Sequence, residues 1–179
     1  MKIACLAWGS LIWNPAFNSN VKAWHEDGPY LPIEFCRAEN DNGLTPVICM
    51  NALHSQVRWG TLTIDSIEKA SDVLRECESI SSTRFNGIGS MVANSLDSGS
   101  IGRWCIEKEV DAIVWIALPP KFDQVEGRIP SLDQALAYLN NITDEAREHT
   151  KKIIERAPNK IRTPYRDAIA NKFGWRQPA

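Results

Sequence analysis

The run "KIACLAWGSLIWNP", Lys2 to Pro15, constrains the fold more than any other stretch of the chain. Its first half is apolar without interruption, as a buried strand is, and it breaks at Gly9-Ser10 with a tryptophan on either side. Glycine packs nothing and loses the most backbone entropy on folding. Inside a strand it therefore marks a bulge or a close approach of backbone to something else, such as a ligand. The reading is a first strand over Lys2 to Trp8 that runs straight into a turn able to present its backbone.

The rest of the composition narrows the class. At 179 residues the chain is long enough for one sizeable core, so a single domain over 1–179 is expected, with a helical C-terminal part at about 131–174. Hydrophobic residues at 44% and charged residues at 23% argue against disorder. A net charge of -2 supplies no electrostatic reason for nucleic acid or an anionic membrane as partner. A small molecule fits better, and the oligomeric state stays open. No stretch approaches the roughly 18 apolar residues of a membrane span, and Trp8, Gly9 and Ser10 cut short what would otherwise be the core of an export signal. A cytoplasmic location is expected. The five cysteines are odd in number, widely spaced and free of C-x-x-C pairs, which predicts buried free thiols. His25, His54 and His149 are far apart and form no ligand pattern, so no metal is expected.

Along the chain, "LPIEFCR" at Leu31 to Arg37 alternates Ile33 and Phe35 with Glu34 and Cys36, as a strand with one exposed face would. "ENDNG" reads as a turn, "LTPVICMNA" as a buried strand, His54 to Gln56 as a second turn and "VRWGTLTI" as another strand. Together they suggest an antiparallel meander. Asp65 or Ser66 then caps a helix carrying Ile67, Ala70, Val73, Leu74 and Cys77 on one stripe. Ser79 to Gly102 is rich in Ser, Asn and Gly and reads as a long loop with a helical turn or two. Val110 to Leu118 is a buried strand stopped by two prolines. Beyond it Ser131 with Gln134 makes a capping box, Thr143 caps a helix with acids first and bases last, and Thr163-Pro164 opens a helix that Gly174 closes.

Chemistry is most legible in the carboxylates. No local signature marks an activated thiol, and "WGSL" is not a G-x-S-x-G nucleophile elbow. Glu78, four residues after Leu74, continues the apolar helical stripe toward the sheet, whereas Glu76 points elsewhere. A carboxylate drawn into apolar surroundings has a raised pKa and suits general base and then general acid work near neutral pH. The plainer reading makes Glu78 the solvated last turn of a helix.

Taken in order, these pieces resemble the gamma-glutamylcyclotransferase superfamily, including its ChaC-type branch. "WGSLIWNP" matches the family's Gly-Ser-Leu turn from Gly9 onward, "VRWGTLTI" its strand before the helix, "LRECE" the end of the helix that carries the catalytic glutamate, and "RTPYRDAIANKFG" a late helix with a pocket tyrosine. The resemblance implies an α+β fold, a small curved mixed β-sheet or barrel with surrounding helices. It implies Glu78 as the catalytic base and Trp8, Gly9, Ser10, Leu11 and Tyr165 as substrate-binding residues, with no metal and no cofactor. It also implies the reaction: the α-amine of a γ-glutamyl group attacks its own γ-carbonyl, closing 5-oxoproline and expelling an amine, peptide or other conjugate. This sequence departs from the family at Trp8, where a tyrosine usually opens the turn, and after Glu78, where Ser79 stands in place of a common glycine. A register slip would make Glu76 the base. The alternative function is a non-catalytic small-molecule binder or a protein-interaction domain, the latter favoured by a flat, solvent-exposed Trp8 and Trp13.

Overall fold

The computed structural model describes residues 1–93, 99–177 and 179. In chain order its strands are β1 (Ile3–Ala7), β2 (Val21–His25), β3 (Tyr30–Glu39), β4 (Gly43–Ile48), β5 (His54–Gln56), β6 (Arg58–Leu62), β7 (Ile88–Val92), β8 (Ala112–Ile116), β9 (Lys121–Phe122) and β10 (Val125–Glu126). Its helices are α1 (Pro15–Asn18), α2 (Ile67–Cys77), α3 (Gly99–Glu107), α4 (Leu132–Asn141), α5 (Asp144–Arg156) and α6 (Pro164–Phe173), with a 3-10 turn over Ser10–Trp13. They divide between two compact units, one of residues 1–30 and 56–118, the other of residues 31–55 and 119–179. The fold is α+β, with two mixed five-stranded sheets that are both open and several helices around them.

The first unit is organised by β1, all five of whose residues are buried. It lies at the centre of a sheet of order β2-β6-β1-β8-β7, antiparallel to β6 and parallel to β8. Ile3, Cys5 and Ala7 turn to one face, by the period of two that a strand imposes. There they pack with Leu62, Ala112 and Val114 against Ala70 and Leu74 of α2. α2 starts where Ser66 accepts the Lys69 N–H, and its apolar stripe faces this cluster. At the opposite edge, Gly89 of β7 pairs with Trp115 of β8, whose indole lies across it. A Cβ on Gly89 would stand 2.2 Å from that ring.

The second unit holds the sheet β10-β9-β3-β4, with β5 also paired to β3. β3 and β4 form an antiparallel hairpin through the turn at 40–42, and Gly43 closes it at φ +70° with Thr150 and Ala146 of α5 directly against it. The three helices begin and end as their caps dictate. The Ser131–Gln134 capping box is complete, Thr143 and Thr163 cap α5 and α6, and Gly174 ends α6 in the left-handed region. Arg166, with no solvent contact, spends all its guanidinium hydrogens on the carbonyls of Ile154, Ala157, Pro158 and Ile161 at 2.7–3.1 Å. Burial pulls its pKa down to about 10. It thereby closes the connection from α5 to α6.

Four local expectations change. The meander survives only as the β3–β4 hairpin, because β1 takes neighbours far away in sequence, β6 and β8. His54 to Gln56 is a strand rather than a turn, with Ser55 buried as β5 adds to β3. The supposed loop from Ser79 carries β7, whose Met91 and Val92 pair with β8, and the start of α3; residues 94–98 of that segment lie outside the described residues. Finally β3 has no exposed face over Ile33 to Ala38, since Glu34, Cys36 and Arg37 are buried too. An alternating pattern predicts solvent on one face only when no partner satisfies the polar side chain, and Glu34 has several. All five cysteines are free thiols, and all but Cys77 are buried. Among the described residues no helix is long and apolar enough to cross a membrane.

Candidate functional site

Glu78 is the residue on which α2 ends. Its N–H still bonds the Leu74 carbonyl at 3.1 Å while its own backbone, at φ -103° and ψ 8°, has left the helix. The helical spacing from Leu74 carries the side chain toward the sheet, and it is half-buried, whereas Glu76 is exposed. The elements with most contact to α2 are β7, β8 and α1, whose sequences IGSMV, AIVWI and PAFN contain no titratable side chain, while β1, packed on Ala70 and Leu74, adds Cys5. Burial pushes the Glu78 carboxyl up to about 7, and among the described residues no ion pair or hydrogen bond offsets it. Its place at the negative end of a helix dipole favours the neutral form as well.

Two thiols lie within electrostatic reach of the carboxylate. Cys5, in the fully buried β1, has its pKa raised by burial and then by the negative charge of Glu78. Cys77 is raised by burial, by Glu78 and by Glu76. Both therefore remain neutral near pH 7, so they are poor nucleophiles and serve as apolar surroundings for the carboxyl group.

Two residues beyond β1 lies the Gly9 turn. Gly9 is buried and extended and caps the 3-10 turn Ser10–Trp13, whose first N–H groups, those of Ser10 and Leu11, have no partner among the described residues. The carbonyls of the turn are held from behind. Asn18 donates to the carbonyls of Ile12 at 3.0 Å and Asn14 at 2.8 Å, more distantly to that of Leu11, and accepts from the Trp24 indole at 2.7 Å. Asn14 in turn caps α1 through Ala16 and Phe17. Leu11 and Ile12 share one core cluster with Cys5, Leu74 and Cys77, so the turn and the end of α2 are anchored in the same packing. Trp8 is 5% exposed and Trp13 half-buried, so the two do not form the exposed patch that would favour a protein-interaction surface at this turn.

Trp8, Gly9, Ser10, Leu11 and Glu78 thus all belong to the first unit. Tyr165 belongs to the second, where it lies in the first turn of α6 and its hydroxyl donates to the Pro130 carbonyl at 2.8 Å. Among the described residues no three His, Cys, Asp or Glu side chains are grouped to hold a metal ion. The sequence reading missed Asn18 and Cys5 as supports of the site. "NPAFN" did carry a signal for the first, an asparagine cap before a proline at the first helical position.

Compared with known proteins, the chain matches no family model, no curated protein and no solved structure. The functional reading therefore rests on the motif resemblance in the sequence and on the surroundings of Glu78.

Proposed function

We propose that this protein is a cyclotransferase-like enzyme that releases 5-oxoproline from a γ-glutamyl amine, peptide or conjugate, with Glu78 as its proton carrier. The observation that supports this is a half-buried carboxyl group, unpaired among uncharged neighbours, whose pKa stands at about 7. Such a group exchanges a proton in either direction at neutral pH, which a solvated glutamate near 4.5 does poorly.

In the proposed reaction Glu78 takes a proton from the α-ammonium of the γ-glutamyl group. The freed amine attacks the γ-carbonyl carbon, the new C–N bond closes the five-membered lactam, and the carbonyl oxygen carries the developing negative charge. The N–H groups of Ser10 and Leu11, without a partner among the described residues, are suited to receive that oxygen or the substrate carboxylate. Collapse breaks the bond to the leaving nitrogen, Glu78 returns its proton to that nitrogen, and the ring nitrogen gives up its second proton, so that the lactam keeps one N–H and the leaving group departs as an ammonium. Both reacting groups belong to one molecule, so holding the folded-back conformer supplies much of the acceleration. Tyr165 has no part in this reading, because its hydroxyl proton is committed to Pro130.

The test is 5-oxoproline release from a panel of γ-glutamyl amines and peptides by wild type, Glu78→Gln and Glu76→Gln. Release that Glu78→Gln abolishes and Glu76→Gln leaves intact supports the reading. Release unaffected by Glu78→Gln, or none from any compound, rejects it.

A further inference from the structure

The chain leaves α2 through a Schellman turn, in which the Ser79 N–H bonds the Glu76 carbonyl at 3.3 Å and the Ile80 N–H bonds the Arg75 carbonyl at 2.9 Å. The turn forces the residue after Glu78 into the left-handed region, where glycine is the usual occupant. Here it is Ser79, at φ +51°. A strained residue in that place needs to be held.

Two features hold it. Arg75 reaches past its own helix and donates from one guanidinium nitrogen to the carbonyls of Ser81 at 3.2 Å and Arg84 at 3.0 Å. Ile80 packs on Gly87, where an added Cβ would come within 2.5 Å of the Ile80 side chain. A last-turn arginine ordinarily serves the end carbonyls of its own helix. This one fastens the following loop.

We propose that Arg75 is a positioning residue for Glu78: by tying residues 79–84 back onto the end of α2, it holds the Glu78 side chain in its half-buried place and limits its contact with water. The inference rests on Glu78 being the base of the proposed reaction, and it deepens that reading. Among the described residues the titratable groups coupled to Glu78 are Cys5 of β1 and Cys77 of α2, with Glu76 also acting on Cys77; β7, β8 and α1 contribute none. In the following loop the one charged side chain, Arg84, has its Nε on the Asn86 side chain at 3.0 Å.

Positioning and charge make opposite predictions. If Arg75 acted on Glu78 as a cation, removing it would raise the Glu78 pKa. If it acts by excluding water, removing it lets the carboxylate hydrate and the pKa falls. The experiment is a carbon-13 carboxyl titration of the glutamate-labelled full chain, with Glu78→Gln to assign the resonance and Arg75→Met and Arg75→Lys as test variants. We expect the midpoint to drop by about one unit or more in Arg75→Met. A smaller drop is expected in Arg75→Lys, whose single ammonium replaces the fork. A midpoint that stays in place or rises in folded Arg75→Met overturns the proposal; where that variant does not fold, Arg75→Lys decides on the same terms. The titration is read without turnover, so absence of 5-oxoproline release bears on Glu78 as the base, whereas an unmoved midpoint bears on Arg75.

Discussion

Two glutamates of this protein are drawn into its two units, and they are treated in opposite ways. Glu34, in the second unit, is buried, and burial raises its pKa. Hydrogen bonds from the Thr163 hydroxyl at 2.6 Å, the Phe35 N–H at 2.8 Å and, more distantly, the Tyr165 N–H oppose that rise. Thr163 accepts the Arg166 N–H at the same time, so the carboxylate is the end of a chain that starts in the cap of α6. Glu78, in the first unit, is raised by burial with nothing to oppose it. A buried carboxylate held by several hydrogen bonds fixes structure, while one left unpaired is free to exchange a proton with a substrate.

The largest expected effect tests the second half of that contrast. Glu78→Gln should lower 5-oxoproline release by about 10²–10⁴-fold, the usual share of a general acid-base group, while Glu76→Gln stays within about twofold. The opposite ranking would transfer the role to Glu76. Next is the structural glutamate. Glu34→Ala strands the Thr163 hydroxyl and the Phe35 N–H in the core and should lower the unfolding free energy in urea by about 3 kcal/mol. A loss below ~1 kcal/mol would mean that Glu34 anchors nothing.

A smaller effect of opposite sign belongs to Glu78. Its folded pKa of about 7 lies above the ordinary 4.5, so the folded state holds its proton more tightly than the unfolded one. Its full contribution is present below the unfolded pKa and is lost as pH rises through about 7. Glu78→Gln should therefore be more stable than wild type at pH 8. At about 1.4 kcal/mol per unit, discounted for residual solvent contact, the gain is ~2 kcal/mol and fades toward pH 4. Equal stability at both pH values would place the carboxylate in water. The finest test is Thr163→Val, which removes the cap of α6 at about 1 kcal/mol and also the bond that favours ionised Glu34. The Glu34 titration midpoint should move further up, and a midpoint that moves down would show that Thr163 does not stabilise the ionised form.

Much of the fold was legible because it is written locally. The buried run of β1, the Ser66 cap and stripe of α2, and the capping box, threonine caps and closing glycine of the last three helices are each decided by residues a few positions apart. Glu78 was legible for the same reason, since its four-residue spacing from Leu74 is a property of one helix. β5 and β7 were not, because "HSQ" and "IGSMV" are too short and mixed to announce strands and become strands only by pairing with β3 and β8. The burial of Glu34 was hidden as well. Its partner Thr163 lies 129 residues away, and an alternating pattern carries no sign of it.

By itself the sequence determined where α2, α4, α5 and α6 begin and end, that β1 is a buried strand, and that a glutamate closes α2 on its apolar face, because capping and periodicity act over one or two turns. Only the tertiary structure decided which carboxylate is satisfied and which is left unpaired, because hydrogen-bond partners and exclusion of water come from segments far apart in the chain.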